Sequence, residues 1–290
     1  MATRADEQPR LQGRVAVVTG GGRGLGLAIT RLLAARGALV VIGSRNAGAL
    51  AEAAAGLVDD GLNVHAVPCD VTRRDEVLAL RDAALNFGGR VDIWVNNAGR
   101  AGVFGPVRRV PEDDFLATTD AIVRGTYHGS LAALDVMQRQ GDGDLINLLG
   151  RGDDGPVANQ AAYGSAKAWV RAFTGALAAE HRGSGVRVHA FNPGLVRTDL
   201  LGRVDAVRGY GSRLQRLVPV VGALGADPDE AALPLLKLIG SDRVEYRAAA
   251  PLPLLQRAGG NLLNRLRHRE APPLTITVTE VPDRATTLTD

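Results

Sequence analysis

Thr19-Gly20-Gly21-Gly22-Arg23-Gly24-Leu25-Gly26 follows the apolar run Val15-Ala16-Val17-Val18 and opens a stretch with apolar residues at Leu25, Ala28, Ile29, Leu32 and Leu33. The run reads as a buried strand. The later spacing places its apolar residues on one face of a helix. Strand, glycine turn and helix in this order are the context that a dinucleotide-binding loop requires. Gly20, Gly24 and Gly26 let the backbone turn tightly and approach a pyrophosphate, with Gly22, Arg23 and Leu25 in the same loop. The helix start adds unpaired N–H groups and the positive end of a dipole. A glycine-rich turn is often only a turn, so the rest of the chain has to agree with this reading.

It does. Working outward, strands are expected at Ala38–Ile42, Asn63–Val67, Val91–Val95, Asp144–Leu149 and Val186–Phe191, with helical stretches between them. Strands alternating with helices of this length imply crossover units and a parallel sheet. The expected fold class is α/β: a Rossmann-type, doubly wound parallel sheet of about seven strands with helices on both faces. One domain over residues 11–250 is expected, after a polar leader at 1–10 and before an extension at 251–290. Residues 195–226 are apolar with scattered arginines and glycines and read as a flexible substrate lid. A last helix is expected over Asp229–Ile239.

Composition narrows the class of function. With 46% hydrophobic and 22% charged residues the 290-residue chain is globular, and a formal charge of +3 gives no reason to invoke nucleic acid. Cys69 is the only cysteine, so neither an internal disulfide nor a multi-cysteine metal site is expected. The five histidines have no metal-ligand spacing, and Asp153-Asp154 reads as a solvated loop pair; no metal site is expected. No apolar run reaches membrane-spanning length, and a cytoplasmic protein is the expectation. Lysine is rare: Lys167 and Lys237 are the only two.

Several positions carry chemistry. Ser44 and Arg45 follow the second strand, where an acidic residue would bind both ribose hydroxyls; a serine and an arginine suit a 2′-phosphate instead. Arg23 adds positive charge nearby, so NADP(H) is favoured over NAD(H). Asp70, before Val71, can accept from the adenine amino group or cap a turn. Asn96, Ala98 and Gly99 end the fourth strand at the carboxyl edge, where open α/β sheets bind ligands. Tyr163 and Lys167 stand four apart on one helical face. A nearby ammonium favours the phenolate, which makes the tyrosine a usable proton donor or acceptor.

Together the glycine loop, Asp70, Asn96 to Gly99, Tyr163 with Lys167, and Pro193-Gly194 with Thr198 resemble the short-chain dehydrogenase/reductase family over about Leu11 to Ile239. The resemblance implies a nicotinamide cofactor, hydride transfer at a carbonyl or carbinol, and a homodimer or homotetramer. It implies Tyr163 as acid/base, Lys167 as its partner and ribose holder, and Pro193, Gly194, Val196 and Thr198 on the nicotinamide side. Gly150, Asn159, Leu195 and Tyr210 are the expected substrate contacts.

The family pattern fails at two places. A serine is expected about thirteen residues before the tyrosine; Gly150 stands there, and no serine or threonine occurs from Leu148 to Ala162. The asparagine that the family places in the long helix falls at Ile122. Three readings compete: carbonyl reduction with another group, such as Asn159, Gln160 or Asp153, orienting the oxygen; a non-redox enzyme (cyclase, dehydratase or isomerase) retaining NADP(H); or cofactor binding without catalysis. The first, with a hydrophobic small molecule as substrate, is the expectation. In the extension, Arg257 to Arg269 reads as a basic amphipathic helix, and Thr275 to Thr279 as a strand able to pair with a partner.

Overall fold

The computed structural model describes residues 10–197, 203–216, 221–222, 224–248 and 277–282. Seven parallel strands form one sheet: β1 (Val15–Thr19), β2 (Leu39–Ser44), β3 (Val64–Pro68), β4 (Ile93–Asn96), β5 (Gly143–Leu148), β6 (Val186–Asn192) and β8 (Glu245–Arg247). Their order is β3-β2-β1-β4-β5-β6-β8. The order reverses between β1 and β4, which places a ligand crevice outside the carboxyl ends of those two strands. The helices are α1 (Gly24–Ala35), α2 (Ala47–Asp59), α3 (Arg74–Gly88), α4 (Glu112–Thr119), α5 (Gly125–Gln140) and α6 (Ala161–Glu180). Two apolar layers sandwich the sheet: Ala16, Val18, Val40 and Ile42 pack with Ile29, Leu33 and Leu50, while Val15, Val17, Val41 and Trp94 pack with Leu80, Ala133 and Met137. Adjacent strand residues thus face opposite layers, as the period of two requires.

The long helical stretch after Pro111 is continuous but carries a π turn over Asp120–Arg124 between α4 and α5. The expected helix over Asp229–Ile239 is divided: α8 covers Pro228–Ala232 and a 3-10 turn follows over Leu233–Lys237. Pro234 has no N–H to donate, so the α ladder cannot run through it.

The lid reading is corrected in part. Residues 195–226 contain a strand, β7 (Arg203–Val207), and a short helix, α7 (Gly211–Gln215). β7 pairs in parallel with β9 (Thr277–Val281), from Arg203 opposite Thr277 to Val207 opposite Val281. The strand expected to reach a partner molecule is therefore paired within its own chain. The leader up to Pro9, Thr198 and the basic helix of the extension lie outside the described residues.

At the amino ends of the central strands, buried carboxylates fasten the sheet. Asp92 accepts from the Val15 N–H at 2.8 Å and from Arg90 at 2.8 Å. Asp144 accepts from Arg187 at 2.8 Å, His189 at 3.1 Å and the Gly240 N–H at 3.0 Å. Burial pushes the Asp144 carboxyl up, but the hydrogen bonds from His189, Arg187 and Gly240 outweigh it and hold it below its ordinary value. Its contribution is therefore complete above about pH 4 and is lost as pH falls through the lower folded value. Asp144→Ala should cost about 3–5 kcal/mol, read as a lowered denaturant midpoint, because it leaves buried donors unpaired. Asp142→Ala, at a side chain 36% exposed beside the same Arg187, should cost only about 0–1 kcal/mol. Equal losses would remove Asp144 from this role.

Candidate active site

The glycine loop has the shape the sequence demands. Gly20 and Gly24 have φ of +67° and +52°, and a side chain at Gly26 would run into the Gly20 carbonyl. Arg23 caps α1 without a side-chain hydrogen bond to the first turn. The N–H groups there stay free of side chains, and the cradle fits a pyrophosphate. Gly22 and Leu25 are partly buried, Leu25 against Val196. Among the described residues neither Arg23 nor Arg45 has a carboxylate partner, and both are exposed. Ser44, partly buried, contributes its carbonyl to the Cys69 N–H at 3.0 Å.

Asp70 behaves as a turn cap: its Oδ1 accepts from the Thr72 N–H at 2.9 Å and the Thr72 hydroxyl at 2.8 Å. Val71 is buried, and its carbonyl lies 3.1 Å from His128 Nδ1. Asn96 turns inward. It accepts from Trp94 Nε1 at 2.8 Å and donates to Asn147 at 2.9 Å and Ser130 at 3.2 Å. Its side-chain amide is occupied by the core. The next residue does the bracing: Asn97 Nδ2 donates to the Thr19 carbonyl at 2.9 Å and the Gly20 carbonyl at 3.2 Å. The N–H groups of Asn97 and Ala98 both donate to the Thr19 hydroxyl at 3.1 Å. Alternation along a strand gives the signal for this, since Asn96 and Asn97 must face opposite sides.

Tyr163 and Lys167 lie on α6, and the Lys167 ammonium is 5.8 Å from the Tyr163 ring centre. Lys167 is buried and donates to the Leu148 carbonyl at 2.7 Å. Burial pulls Lys167 down to about 8, with the Asp153 carboxylate opposing the fall. Tyr163 is pushed up to about 12 by burial and by Asp153. The expected lowering of Tyr163 by Lys167 is thus reversed here, because desolvation of the phenolate dominates while the ammonium faces a carbonyl. The phenol stays protonated at neutral pH.

On the side expected to face the nicotinamide, Asn192 ends β6. Its Oδ1 accepts from the Gly194 N–H at 2.9 Å and its Nδ2 donates to Asp153 at 3.1 Å. Pro193 is buried, Gly194 is exposed with φ of +76°, and Val196 is buried against Ala226 and Ala231. Asp153 is not the solvated residue expected. It is 5% exposed and bridged by Arg247 from β8 at 2.7 and 3.1 Å, whereas Asp154 is exposed.

The loops after β4 and β5 and the strand β7 meet around the residues expected to contact substrate. Gly105 donates to the Asn159 carbonyl at 2.9 Å, and Phe104 donates to the Asp205 carbonyl at 2.8 Å. Asn159 takes a left-handed φ of +64°. Leu195 accepts from the Ala226 N–H at 2.8 Å. Tyr210 packs beside Phe104 and Val207, with the Arg213 guanidinium 4.8 Å and that of Arg109 5.5 Å from its ring centre.

This arrangement has close relatives. The family model described as short chain dehydrogenase matches residues 14–208. The chain belongs to the short-chain dehydrogenase/reductase family. It is 35% identical over 239 residues to 3beta-hydroxysteroid dehydrogenase 1 of Eggerthella lenta, covering 81% of this chain and 90% of that one. Among solved structures, a metagenomic short-chain oxidoreductase in complex with NADP superposes with a TM-score of 0.68 at 27% identity, covering 84% of this chain and 100% of that one. The 3-ketoacyl-(acyl-carrier-protein) reductase of Brucella melitensis, complexed with NADH, gives a TM-score of 0.71 at 28% identity, over 82% and 98% of the two chains.

Against that family the two departures have a structural reason. Ile122 lies in the π turn, buried among Leu149, Ala166, Val170 and Ala190 with Tyr163 against it. Gly150 touches the tyrosine itself: a Cβ there would collide with Tyr163 Oη and lie 3.6 Å from Lys167 Cε. The tyrosine hydroxyl thus occupies the space that a serine side chain would enter. In a crystal structure of Gly150→Ser, Oη should be displaced from its wild-type position. A serine accommodated beside an unmoved Tyr163 would show that this contact does not explain the glycine.

Proposed function

We propose that this short-chain dehydrogenase/reductase transfers hydride between NADP(H) and the carbonyl or secondary alcohol of a hydrophobic small molecule, with Tyr163 as acid/base. The observation that carries the reading is a protonated phenol beside Lys167 at the carboxyl edge of the sheet, next to a glycine cradle shaped for a pyrophosphate. When bound, the nicotinamide supplies or accepts the hydride. In the reducing direction the Tyr163 O–H bond breaks and its proton goes to the carbonyl oxygen as the new carbon–hydrogen bond forms. Lys167, held on the Leu148 carbonyl, stabilises the phenolate left behind and offers its remaining protons to a ribose. The family relatives include complexes with NADP and with NADH; for this chain Arg23 and Arg45, exposed and without a carboxylate partner among the described residues, support NADP(H).

The absent serine and the buried Ile122 favour a second reading: a non-redox enzyme, or a binding protein, that keeps NADP(H) in place. Turnover without net cofactor change would point to the former, and binding without turnover to the latter. A homo-oligomer is part of the proposal. Trp169, 36% exposed, stacks on Phe173 at 4.6 Å, and Tyr127 lies 6.2 Å from Phe173, an aromatic patch on α5 and α6 suited to a second subunit. Among the described residues no helix is long and apolar enough to cross a membrane.

Tyr163→Phe should leave cofactor binding within about twofold of wild type, while turnover on a carbonyl panel falls by a factor on the order of 10² or more. Full activity in this variant would remove Tyr163 from the mechanism. Arg45→Ala should weaken NADPH by roughly tenfold, the worth of one charge-assisted hydrogen bond, and leave NADH nearly unchanged. Equal losses, measured by fluorescence titration, would overturn the 2′-phosphate assignment.

A further inference from the structure

The proton transfer proposed above makes no use of Asp153, yet its carboxylate is buried beside the site and held by two side chains from other elements. Three residues before it, Gly150 lies against Tyr163 and Lys167, and the turn is closed by the Asp153 N–H donating to the Gly150 carbonyl at 3.2 Å. Gly152, with φ of +97°, packs so tightly on Gly164 of α6 that a Cβ would lie 2.5 Å from the Gly164 Cα. The loop is thereby pressed onto the first turns of the helix that bears the tyrosine. Its carboxylate is then fixed from two further elements: Arg247 on β8 grips both oxygens, and Asn192 at the end of β6 donates to Oδ2.

We propose that Asp153 is a positioning residue of this site: pinned by Arg247 and Asn192, its carboxylate is the fixed anionic partner of the Tyr163–Lys167 pair. It lies three residues after Gly150, on the loop where the family's serine is missing. The inference rests on the proposed function for its catalytic meaning, but its electrostatic part holds for the protein alone.

The charged groups facing this point come from every element around it. Lys167 lies on α6, and Arg171 on the same helix reaches Glu245 at 3.2 Å. Glu245 and Arg247 come from β8, joined at 3.2 Å. The loop brings Asp153 and the exposed Asp154, which also pairs with Arg247 at 3.1 Å. Positive and negative groups therefore balance in number, and Asp153 is the buried negative one. Burial pulls the Lys167 ammonium down and Asp153 opposes this; the same charge adds to the burial that disfavours the Tyr163 phenolate. Both effects keep a proton on the pair at neutral pH, which a proton donor in reduction requires.

The chain's two lysines make a direct test practical. Protein labelled with ¹³C-lysine gives two side-chain signals, assigned with Lys237→Arg, and the Lys167 signal is followed against pH in the full chain. The wild-type midpoint is expected near 8. Asp153→Asn keeps the shape of the side chain, and Arg247 retains Asp154 and Glu245, so the ion-pair network survives in part. Its Lys167 midpoint should fall by about half a pH unit or more. Asp154→Asn, at the exposed neighbour, should leave it in place. Arg247→Gln, which unmasks the Asp153 charge, should move it upward.

In turnover, the alkaline limb of kcat should shift acidward in Asp153→Asn, with KM for cofactor little changed. A Lys167 midpoint unmoved in Asp153→Asn, or moved downward in Arg247→Gln, would overturn the proposal and leave Asp153 a structural ion pair. Should Asp153→Asn fail to fold, the double variant Asp153→Asn/Arg247→Gln, which leaves no unmatched charge between the two, decides: its Lys167 midpoint should lie below that of Arg247→Gln alone, and equal midpoints overturn the proposal. Because the titration needs no turnover, a protein inactive on every carbonyl would sink the functional reading without touching this one.

Discussion

Gly26 faces the Gly20 carbonyl so closely that no side chain can stand between them. That contact seats the first turn of α1 directly on the end of β1. Everything at the carboxyl edge of the sheet follows from it. The Asn97 amide reaches across from the end of β4 to the Thr19 and Gly20 carbonyls, and the Thr19 hydroxyl in return accepts the Asn97 and Ala98 N–H groups, so the turn is braced without help from α1's own first N–H groups. Those groups remain for an anion. At the opposite edge the chemistry is reversed: Asp92 and Asp144 use buried charge to tie strand ends together. One edge is closed by its own polar groups, and the other keeps them available.

The parts of this fold legible in the sequence are those fixed by local spacing. Apolar runs of strand length, the glycine turn and the four-residue step from Tyr163 to Lys167 depend on neighbours along the chain, and each is found where the pattern puts it. Boundaries move by a residue or two, as at β4, where Val91 and Asp92 precede the strand. What escaped depends on distant partners. Nothing in Arg203–Val207 announces that its pairing strand begins at Thr277. Asp153 beside Asp154 looks like two solvated acids until Arg247, far along the chain, comes to cover one of them. The Asn96–Asn97 pair reads as a single motif, yet strand alternation sends one amide into the core and the other to the glycine loop. The Tyr163 shift was misjudged for a similar reason: spacing shows the ammonium nearby but not the desolvation that outweighs it.

The loss of a hydroxyl is compatible with the proton chemistry proposed for this site. A serine side chain would take the space in which Tyr163 Oη rests, and Ile122 fills the π turn where a polar group would need a solvated path. Both substitutions make the surroundings of the tyrosine drier. In a drier setting electrostatic interactions are less screened, so one fixed carboxylate has a longer reach than it would in water. The family's neutral hydrogen-bonding groups act only on contact. A buried charge acts on both members of the Tyr163–Lys167 pair at once.

The substrate side is built on a different principle from the cofactor side. The loop leaving β4 is joined to β7 by the Phe104 N–H donating to the Asp205 carbonyl, and to the loop leaving β5 by the Gly105 N–H donating to the Asn159 carbonyl. β7 in turn is completed by β9, a strand from the far end of the chain. Closing a long loop costs only slowly more entropy as the loop lengthens, so a distant strand is not an expensive partner. Its apolar contribution is modest: Val278 packs with Phe104, Val204 and Leu214, and Val281 with Val103 and Val207. None of these contacts touches the glycine cradle. This layer can therefore change its lining without disturbing the strands that shape the glycine cradle, which is the division of labour expected where loops carried on a rigid sheet set specificity.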